Sequence, residues 1–343
     1  MVDFTIRGAG IMGLMMAWTL IHRGQKVQII DPHGVGAGAS GGVVGALAPH
    51  MPEKWSAKKQ FQFESLLLSD QLWPEIDAVS GLTSGYGRVG RLMPILNDRG
   101  LELAQDRAAG AKEHWNDFAT WNIVERAPDW VPPTPTGRWV YDTLSARINP
   151  AAACASIARA LASKGCEIHS NAPDCGRVIW ATGVHDLVRI SDHLGAFFGA
   201  GEKGQGAVLD INLGIAPQLY IDNIHVVPHV DGTTAIGSTT ERFYEDGVQT
   251  DHLLEDLLER ARTLIPALRD APVLTRWANE RPRSHSRAPI IGYHPIEPDA
   301  YILNGGFKIG LAMAPKMADC LADFILTGAD TIPDDFNSKQ VIS

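Results

Sequence analysis

Three glycines near the start of the chain have a spacing that suits phosphate binding. Gly8, Gly10 and Gly13 occupy the glycine positions of G-x-G-x-x-G, between two apolar stretches. The first glycine of this pattern forms a tight turn, the second lets the backbone approach a pyrophosphate, and the third lets a helix pack closely on a strand. The N-terminus of that helix offers N–H groups and partial positive charge to phosphates. We therefore expect Ile11 and Met12, which open the helix, to contact the ligand with the glycines.

An acidic residue completes a dinucleotide-binding pattern. Asp31 follows the glycines by roughly 20 residues and precedes Pro32, at the end of the predicted strand KVQII. There a carboxylate accepts hydrogen bonds from ribose hydroxyls and repels a 2′-phosphate. The strand, helix, second strand and terminal acid predict a bound dinucleotide, and they leave NAD and FAD open.

Four further segments carry a family resemblance. They are GASGG with GALAPH (38–42 and 45–50), GRVIWATG (176–183), RPRSHSRAPIIG (281–292) and GGFKIGLAMAP (305–315). Together they resemble the D-amino-acid oxidase superfamily of FAD-dependent oxidoreductases, above all its glycine oxidase-like branch. The resemblance covers both ends and the middle of the chain. It departs from the family pattern in two places: an expected Asp is missing near Ser286 and Arg287, and few residues remain for extra strands before Gly176.

The resemblance implies FAD as the cofactor and assigns further contacts to it. Small residues are needed where backbone runs against a flat ring and its ribityl chain. Ser40 is expected to hydrogen-bond the pyrophosphate or ribityl oxygens, with a loop cap as the alternative. The implied contacts, beyond those named above, are Ala39, Ser40, Gly45, Ala46, Leu47, Ala181, Thr182, Gly183, Arg281, Gly305, Gly306, Phe307, Lys308, Ile309 and Gly310.

The same resemblance implies which residues meet the substrate. Arg281 matches the family's carboxylate-binding arginine, whose planar fork suits two oxygens; the alternative is a structural ion pair with an acidic neighbour. Lys308 stands where a second cation is common, with a solvated lysine as the alternative. His50 and Tyr244 are weaker candidates for contact with the ring or the substrate. The histidine and cysteine spacing predicts no metal site.

The elements that position these residues alternate in a way typical of an α/β (α+β) protein. We predict a Rossmann-like FAD-binding domain and a second domain built on an antiparallel sheet. The FAD-binding domain is discontinuous, with residues 1–55, 145–195 and 290–335, and residues 56–144 and 196–289 form the substrate domain.

Composition and charge exclude several classes of partner. The net charge of −9 over 343 residues argues against nucleic acid as a partner. No stretch is long and apolar enough to predict a membrane span. The four cysteines form no C-x-x-C pair and indicate a reduced compartment, so we expect a cytoplasmic protein.

We therefore predict an FAD-dependent oxidoreductase that oxidises the C–N bond of a small amine or amino acid by hydride transfer to flavin N5. Oxygen or another acceptor would re-oxidise it, and the sequence leaves the substrate, a covalent flavin bond and the oligomeric state open. Two alternatives remain: an NAD-linked dehydrogenase, and a flavin-binding subunit of a larger complex with little catalysis of its own. A homo-oligomer and a heteromeric dehydrogenase complex are both compatible with the sequence.

Overall fold

The computed structural model describes residues 1–339, and within them the chain forms sixteen strands and seven α-helices. The strands are β1 (Phe4–Arg7), β2 (Val27–Ile30), β3 (Ala46–Leu47), β4 (Arg91–Pro94), β5 (Trp121–Val124), β6 (Trp139–Asp142), β7 (Ala146–Arg147), β8 (Glu167–His169), β9 (Arg177–Trp180), β10 (Gly199–Leu209), β11 (Gln218–Ile221), β12 (Ile224–Pro228), β13 (Thr234–Gly237), β14 (Val273–Ser284), β15 (Ile290–Tyr293) and β16 (Tyr301–Asn304). The helices are α1 (Ile11–His22), α2 (Ala57–Ser80), α3 (Asp98–His114), α4 (Pro150–Ser163), α5 (Val184–Leu194), α6 (His252–Leu264) and α7 (Gly310–Thr327).

A six-stranded sheet carries the predicted nucleotide-binding unit. Its strand order is β15-β16-β9-β1-β2-β8, and all neighbouring pairs except β15–β16 are parallel. β1, α1 and β2 form the predicted βαβ unit at the centre, where β1 and β2 are almost wholly buried. This sheet confirms the Rossmann-like part of the predicted fold.

Close packing of α1 on β1 depends on two of the glycines. Gly8 has φ +108°, in the region that favours glycine. A Cβ on Gly13 would stand 1.9 Å from the carbonyl oxygen of Gly8, so any larger residue would push the helix off the strand. The glycine at position 13 thus lets the backbone of α1 pack directly on the backbone that follows β1, as predicted for the third glycine of the pattern.

The second sheet has eight strands in the order β14-β10-β13-β12-β11-β4-β6-β5. Its pairs are antiparallel apart from β11 with β4, which confirms the predicted antiparallel sheet. β10 and β14 form the longest pairing, from Gly199 opposite Ser284 to Leu209 opposite Val273. Buried leucines of α6 cover one face of this sheet.

The division into an FAD-binding domain and a substrate domain stays a prediction. Helix α2, which the division assigns to the substrate domain, packs against α4 and α7. Its buried residues Phe61, Leu66 and Trp73 belong to the same apolar cluster as α1.

The four cysteines are free thiols. In the described part of the chain, no helix has the length and apolar character needed to cross a bilayer.

Candidate functional site

A cavity of about 840 Å³ is lined by residues of both large sheets. It runs from the loop after β1 and the end of β2, past the β9–α5 turn and the start of α7, to the facing strands β10, β12 and β14. Its volume falls in the range of cofactor and small-molecule sites, about 300–1,000 Å³. This cavity brings together most of the residues that the sequence singled out.

At one end, the N-terminus of α1 meets the glycine- and alanine-rich segment. The backbone N–H of Ile11 donates to Ser40 Oγ at 2.9 Å. A Cβ on Gly10 would lie 3.1 Å from the same hydroxyl oxygen. Ser40 thus caps the helix, and its hydroxyl hydrogen remains available to an anion at this positive helix end. This geometry agrees with both roles considered for Ser40.

Asp31 is fixed by two backbone donors. Its carboxylate accepts a hydrogen bond from the N–H of Ala9 at 2.7 Å and from the N–H of His33 at 2.8 Å. Each carboxylate oxygen has a second lone pair, so both can still accept a hydrogen bond from a ligand hydroxyl. The residue is thereby oriented next to the glycine turn, as a ribose-binding acid requires.

Two glycine turns form the opposite wall. The turn after β9 lies next to the glycine turn that follows β1. The N–H of Ala181 donates a hydrogen bond to the carbonyl of Arg7 at 2.7 Å. A Cβ on Gly306 would stand 2.6 Å from Met12 Cε, which brings the turn before α7 equally close to α1. The first residues of α7 line the cavity, so its positive end faces the ligand space.

Beyond Asp31 the cavity wall becomes aromatic and basic. The Trp180 ring has the guanidinium carbons of Arg189 and Arg7 at 4.3 and 5.0 Å from its centroid. The imidazoles of His33 and His185 stack with centroids 5.8 Å apart. All of these residues line the cavity. Flat aromatic faces and cations of this kind suit a planar base.

At the other end of the cavity, Arg281 of β14 presents a buried guanidinium. The residue is only 9% exposed. Its Nη2 donates to Ser238 Oγ at 2.8 Å and its Nη1 donates to the carbonyl of Thr239 at 3.2 Å. Burial lowers the pKa of Arg281, which nevertheless remains a cation at working pH.

The two carboxylates whose charges act on Arg281, Glu202 and Glu241, form ion pairs with other cations. Glu202 pairs with Arg283 at 3.4 Å and with Arg242 at 3.6 Å, and Glu241 lies 3.7 Å from Lys203 Nζ. Among residues 1–339, no carboxylate lies within 4.0 Å of the Arg281 guanidinium nitrogens. The alternative of a structural ion pair with Glu280 or Asp270 is therefore not what the geometry shows.

Lys308 supplies a second cation to the same end of the cavity. Its Nζ donates to Thr240 Oγ1 at 2.7 Å. Burial and the nearby charge of Arg281 lower the pKa of Lys308. Lys308 is an exposed residue, whose amine is held by this hydrogen bond and acts electrostatically on Arg281.

Four predicted site residues lie outside the cavity lining. The hydroxyl of Tyr244 donates to the Glu280 carboxylate, which itself lines the cavity, and burial together with this contact raises the pKa of Tyr244. The N–H of His50 donates to Gln62 Oε1 at 2.7 Å, and burial lowers the pKa of its imidazole. The others are Gly13, at the helix–strand contact, and Gly305, in the turn after β16. Their proposed contacts with ligand stay predictions.

The structure also brings residues to the cavity that sequence reasoning missed. His225 and Ser238 come from β12 and the end of β13, and Trp277 and Asn279 come from β14. These residues lie between positions 225 and 279, where the sequence carries none of the motifs described above. Only strand pairing across the eight-stranded sheet brings them together, so spacing along the chain carries no signal for them.

The residues present fit an FAD molecule. Three groups follow one another along the cavity. They are the N-terminus of α1 with the Ser40 hydroxyl, the carboxylate of Asp31, and the wall formed by the glycine turns. These are the groups that pyrophosphate, ribose and a flat ring require in turn. The protein fold and this cavity define a dinucleotide-dependent enzyme.

The comparisons identify the family. The family model described as "FAD dependent oxidoreductase" (DAO) matches residues 3–324. The chain therefore belongs to the DAO family of FAD-dependent oxidoreductases, and FAD is its cofactor. The prediction from the sequence is confirmed, and the alternative of an NAD-linked dehydrogenase is wrong.

Individual relatives agree with this assignment. The chain is 23% identical over 348 residues to "Glycine oxidase" of Bacillus licheniformis, covering 94% of this chain and 93% of the relative. Glycine oxidase from Geobacillus kaustophilus has a similar structure, with a TM-score of 0.83, 18% identity and coverage of 98% and 97%. Iminodiacetate oxidase from Chelativorans sp. BNC1 superposes with a TM-score of 0.84, 21% identity and coverage of 98% of both chains.

Proposed function

We propose that this enzyme oxidises the C–N bond of a small amino acid, of the size of glycine or an N-substituted glycine. The product is an imine, which water hydrolyses to an oxo acid and an amine or ammonia. The substrate loses two electrons and two hydrogens: one leaves the carbon as a hydride and the other leaves the nitrogen as a proton. When bound, FAD supplies the hydride acceptor.

The single observation that carries this proposal is Arg281. A guanidinium that is 9% exposed at the cavity wall, with hydrogen bonds only to neutral oxygens, retains a full charge for a ligand. A carboxylate matches two guanidinium N–H groups, as a phosphate does, and it is the anion that stands next to the C–N bond in an amino acid. The substrate is therefore an amine that also carries a carboxylate, which distinguishes an amino acid from a simple amine.

The chain's residues act by binding and orientation. Arg281 and Lys308 fix the carboxylate, which leaves the α-carbon of the substrate to face the cofactor space bounded by the start of α7. Holding both reactants in one geometry removes much of the entropic barrier. Burial of Arg281 strengthens its attraction for the carboxylate, because water screens the guanidinium charge less.

The names of the relatives support a small substrate. Glycine oxidases and an iminodiacetate oxidase share the chain's length and fold. Glycine, sarcosine and iminodiacetate all carry a carboxylate next to the reacting carbon, as the position of Arg281 requires. We place the substrate in this chemical class.

Anaerobic mixing of the FAD-loaded enzyme with matched compounds tests the proposal. We expect glycine, sarcosine, iminodiacetate or D-alanine to bleach the flavin absorbance, and methylamine and dimethylamine to leave it unchanged. Admission of air, with assay of hydrogen peroxide, then distinguishes oxygen from another acceptor. If no amino acid of a wider panel bleaches the flavin, the proposal fails and a flavin-binding subunit with little catalysis is favoured.

A further inference from the structure

His225 lies in the cavity wall at the same end as the two cations. It is on β12, where its Cα pairs with that of Gly237 on β13. The next residue, Ser238, is the one that accepts the hydrogen bond from Arg281 Nη2. The cavity is lined by His225, Arg281 and Lys308. The positive charge of Lys308 is close enough to lower the pKa of the imidazole. Three strands or turns thus bring three polar side chains to one place.

Only one nitrogen of the imidazole is open to a ligand. Nδ1 is buried and has no hydrogen-bond partner among the described residues. The ring packs at a tilt against Tyr220, with centroids 4.6 Å apart, which fixes its orientation. Because His225 lines the cavity and retains partial exposure, Nε2 and its neighbouring carbon are the part that faces the ligand space.

The position of the proton follows from the buried nitrogen. A buried N–H with no acceptor is rarer in proteins than a buried acceptor with no donor. We therefore assign the lone pair to Nδ1 and the proton to Nε2. Burial, together with the charges of Arg91 and Lys308, lowers the pKa of His225 to about 3, so the ring is neutral at working pH. A neutral N–H donor thus faces the cavity.

We propose that His225 is a third carboxylate-binding residue, which donates a hydrogen bond from Nε2 to the substrate carboxylate that Arg281 and Lys308 attract. This inference rests on the proposed function and names a further group of the same site. The two cations attract the anion, while the ring, fixed by its packing on Tyr220, sets the direction of one oxygen. A neutral donor does this without placing a third positive charge beside the two cations.

Acetate, titrated into the FAD-loaded enzyme and followed through the flavin absorbance spectrum, is the probe. Three variants separate the two nitrogens: the amide nitrogen of His225→Gln comes near the position of Nε2, that of His225→Asn comes near Nδ1, and His225→Phe keeps the ring without a donor. We expect the acetate Kd to rise roughly 10- to 100-fold in His225→Phe and His225→Asn, and to stay within about threefold in His225→Gln. His193→Phe, the same change at an exposed position of α5, is the matched control and should leave the Kd unchanged.

Several outcomes would overturn the assignment. They are an unchanged acetate Kd in His225→Phe, equal losses in the Gln and Asn variants, and no acetate binding by the wild-type enzyme. Unchanged FAD content and melting temperature show that each variant is folded. The proposed function fails separately: it fails if the wild-type enzyme binds acetate but no amino acid bleaches the flavin, and that result leaves the role of His225 standing.

Discussion

The guanidinium of Arg281 lies flat against the backbone of Gly204, on the neighbouring strand β10. A Cβ on Gly204 would stand 2.0 Å from Cζ and from both terminal nitrogens of Arg281. No side chain fits at position 204 while the guanidinium keeps its position, so Arg281 packs directly against the backbone of Gly204. This glycine has no role in a turn and lies in the middle of a strand, where glycine normally weakens the sheet.

Gly204→Ala is therefore expected to displace the guanidinium of Arg281 without unfolding the protein. The clash involves the far end of a flexible side chain, which can rotate away. We predict that KM for an amino acid rises roughly 10- to 100-fold, the cost of a lost hydrogen bond to a charged group, with little change in melting temperature. Gly100→Ala is the control, because a methyl group there makes only ordinary contacts in α3. Equal KM values for both variants and the wild type would contradict the account.

Arg281→Lys tests whether the planar fork of the guanidinium matters as well as its charge. Lysine is a point charge and cannot donate two parallel hydrogen bonds to a carboxylate. We expect kcat/KM for amino acids to fall by about one to two orders of magnitude. Arg276→Lys changes an exposed arginine of the same strand that pairs with Glu255, and it should leave kcat/KM unchanged. Full activity of Arg281→Lys would show that charge alone suffices.

Asp31→Asn is expected to weaken FAD binding. Both carboxylate oxygens accept backbone hydrogen bonds, from Ala9 and His33, and an amide can replace only one of these acceptors. The Kd for FAD, measured by flavin fluorescence quenching with the apoprotein, should rise roughly 10-fold or more. Asp192→Asn, at an exposed position of α5, should not alter it. Retained affinity in Asp31→Asn would remove Asp31 from the binding site.

The neutral state of His225 predicts a pH dependence of stability. Its pKa is lowered from 6.5 to about 3 in the folded chain. Between these two pH values the imidazole is protonated in the unfolded chain and neutral in the folded chain. The equilibrium constant for unfolding therefore rises by up to roughly tenfold per pH unit as the pH falls below about 6.5. His225→Gln removes this contribution. Urea unfolding of the FAD-loaded proteins from pH 7 to pH 4 should therefore favour the variant increasingly, whereas the exposed His193→Gln should follow the wild type. A constant difference would mean that the ring is protonated in the fold.

Local patterns predicted the nucleotide-binding half of the fold. β1, α1 and β2 follow from apolar runs divided by glycines, and α1 begins at Ile11 as expected. The interactions that decide these elements are close in sequence, so they can be predicted from it. The same holds for Asp31, whose backbone partner Ala9 belongs to the predicted turn.

The substrate end of the cavity depends on strand pairing instead. β14, with the sequence VLTRWANERPRS, has no regular apolar alternation and was not predicted as a strand; its long pairing with β10 holds it in the sheet. Helix α5 was also not predicted. Arg281 was predicted from a family resemblance, but only the pairings that join four strands, β14, β10, β13 and β12, bring Gly204, Ser238 and His225 to the same end of the cavity. Such contacts leave no trace in residue spacing.

We expect Arg281 to select an amine that carries a carboxylate over an amine that does not. The most direct test compares anaerobic flavin reduction by sarcosine and by dimethylamine, which differ by that carboxylate, in the wild type and in Arg281→Met. We expect the wild type to prefer sarcosine by about two orders of magnitude or more in the second-order rate constant for reduction, and Arg281→Met to lose most of this preference. Equal reduction of the wild type by both compounds, or an undiminished preference in Arg281→Met, would contradict this expectation.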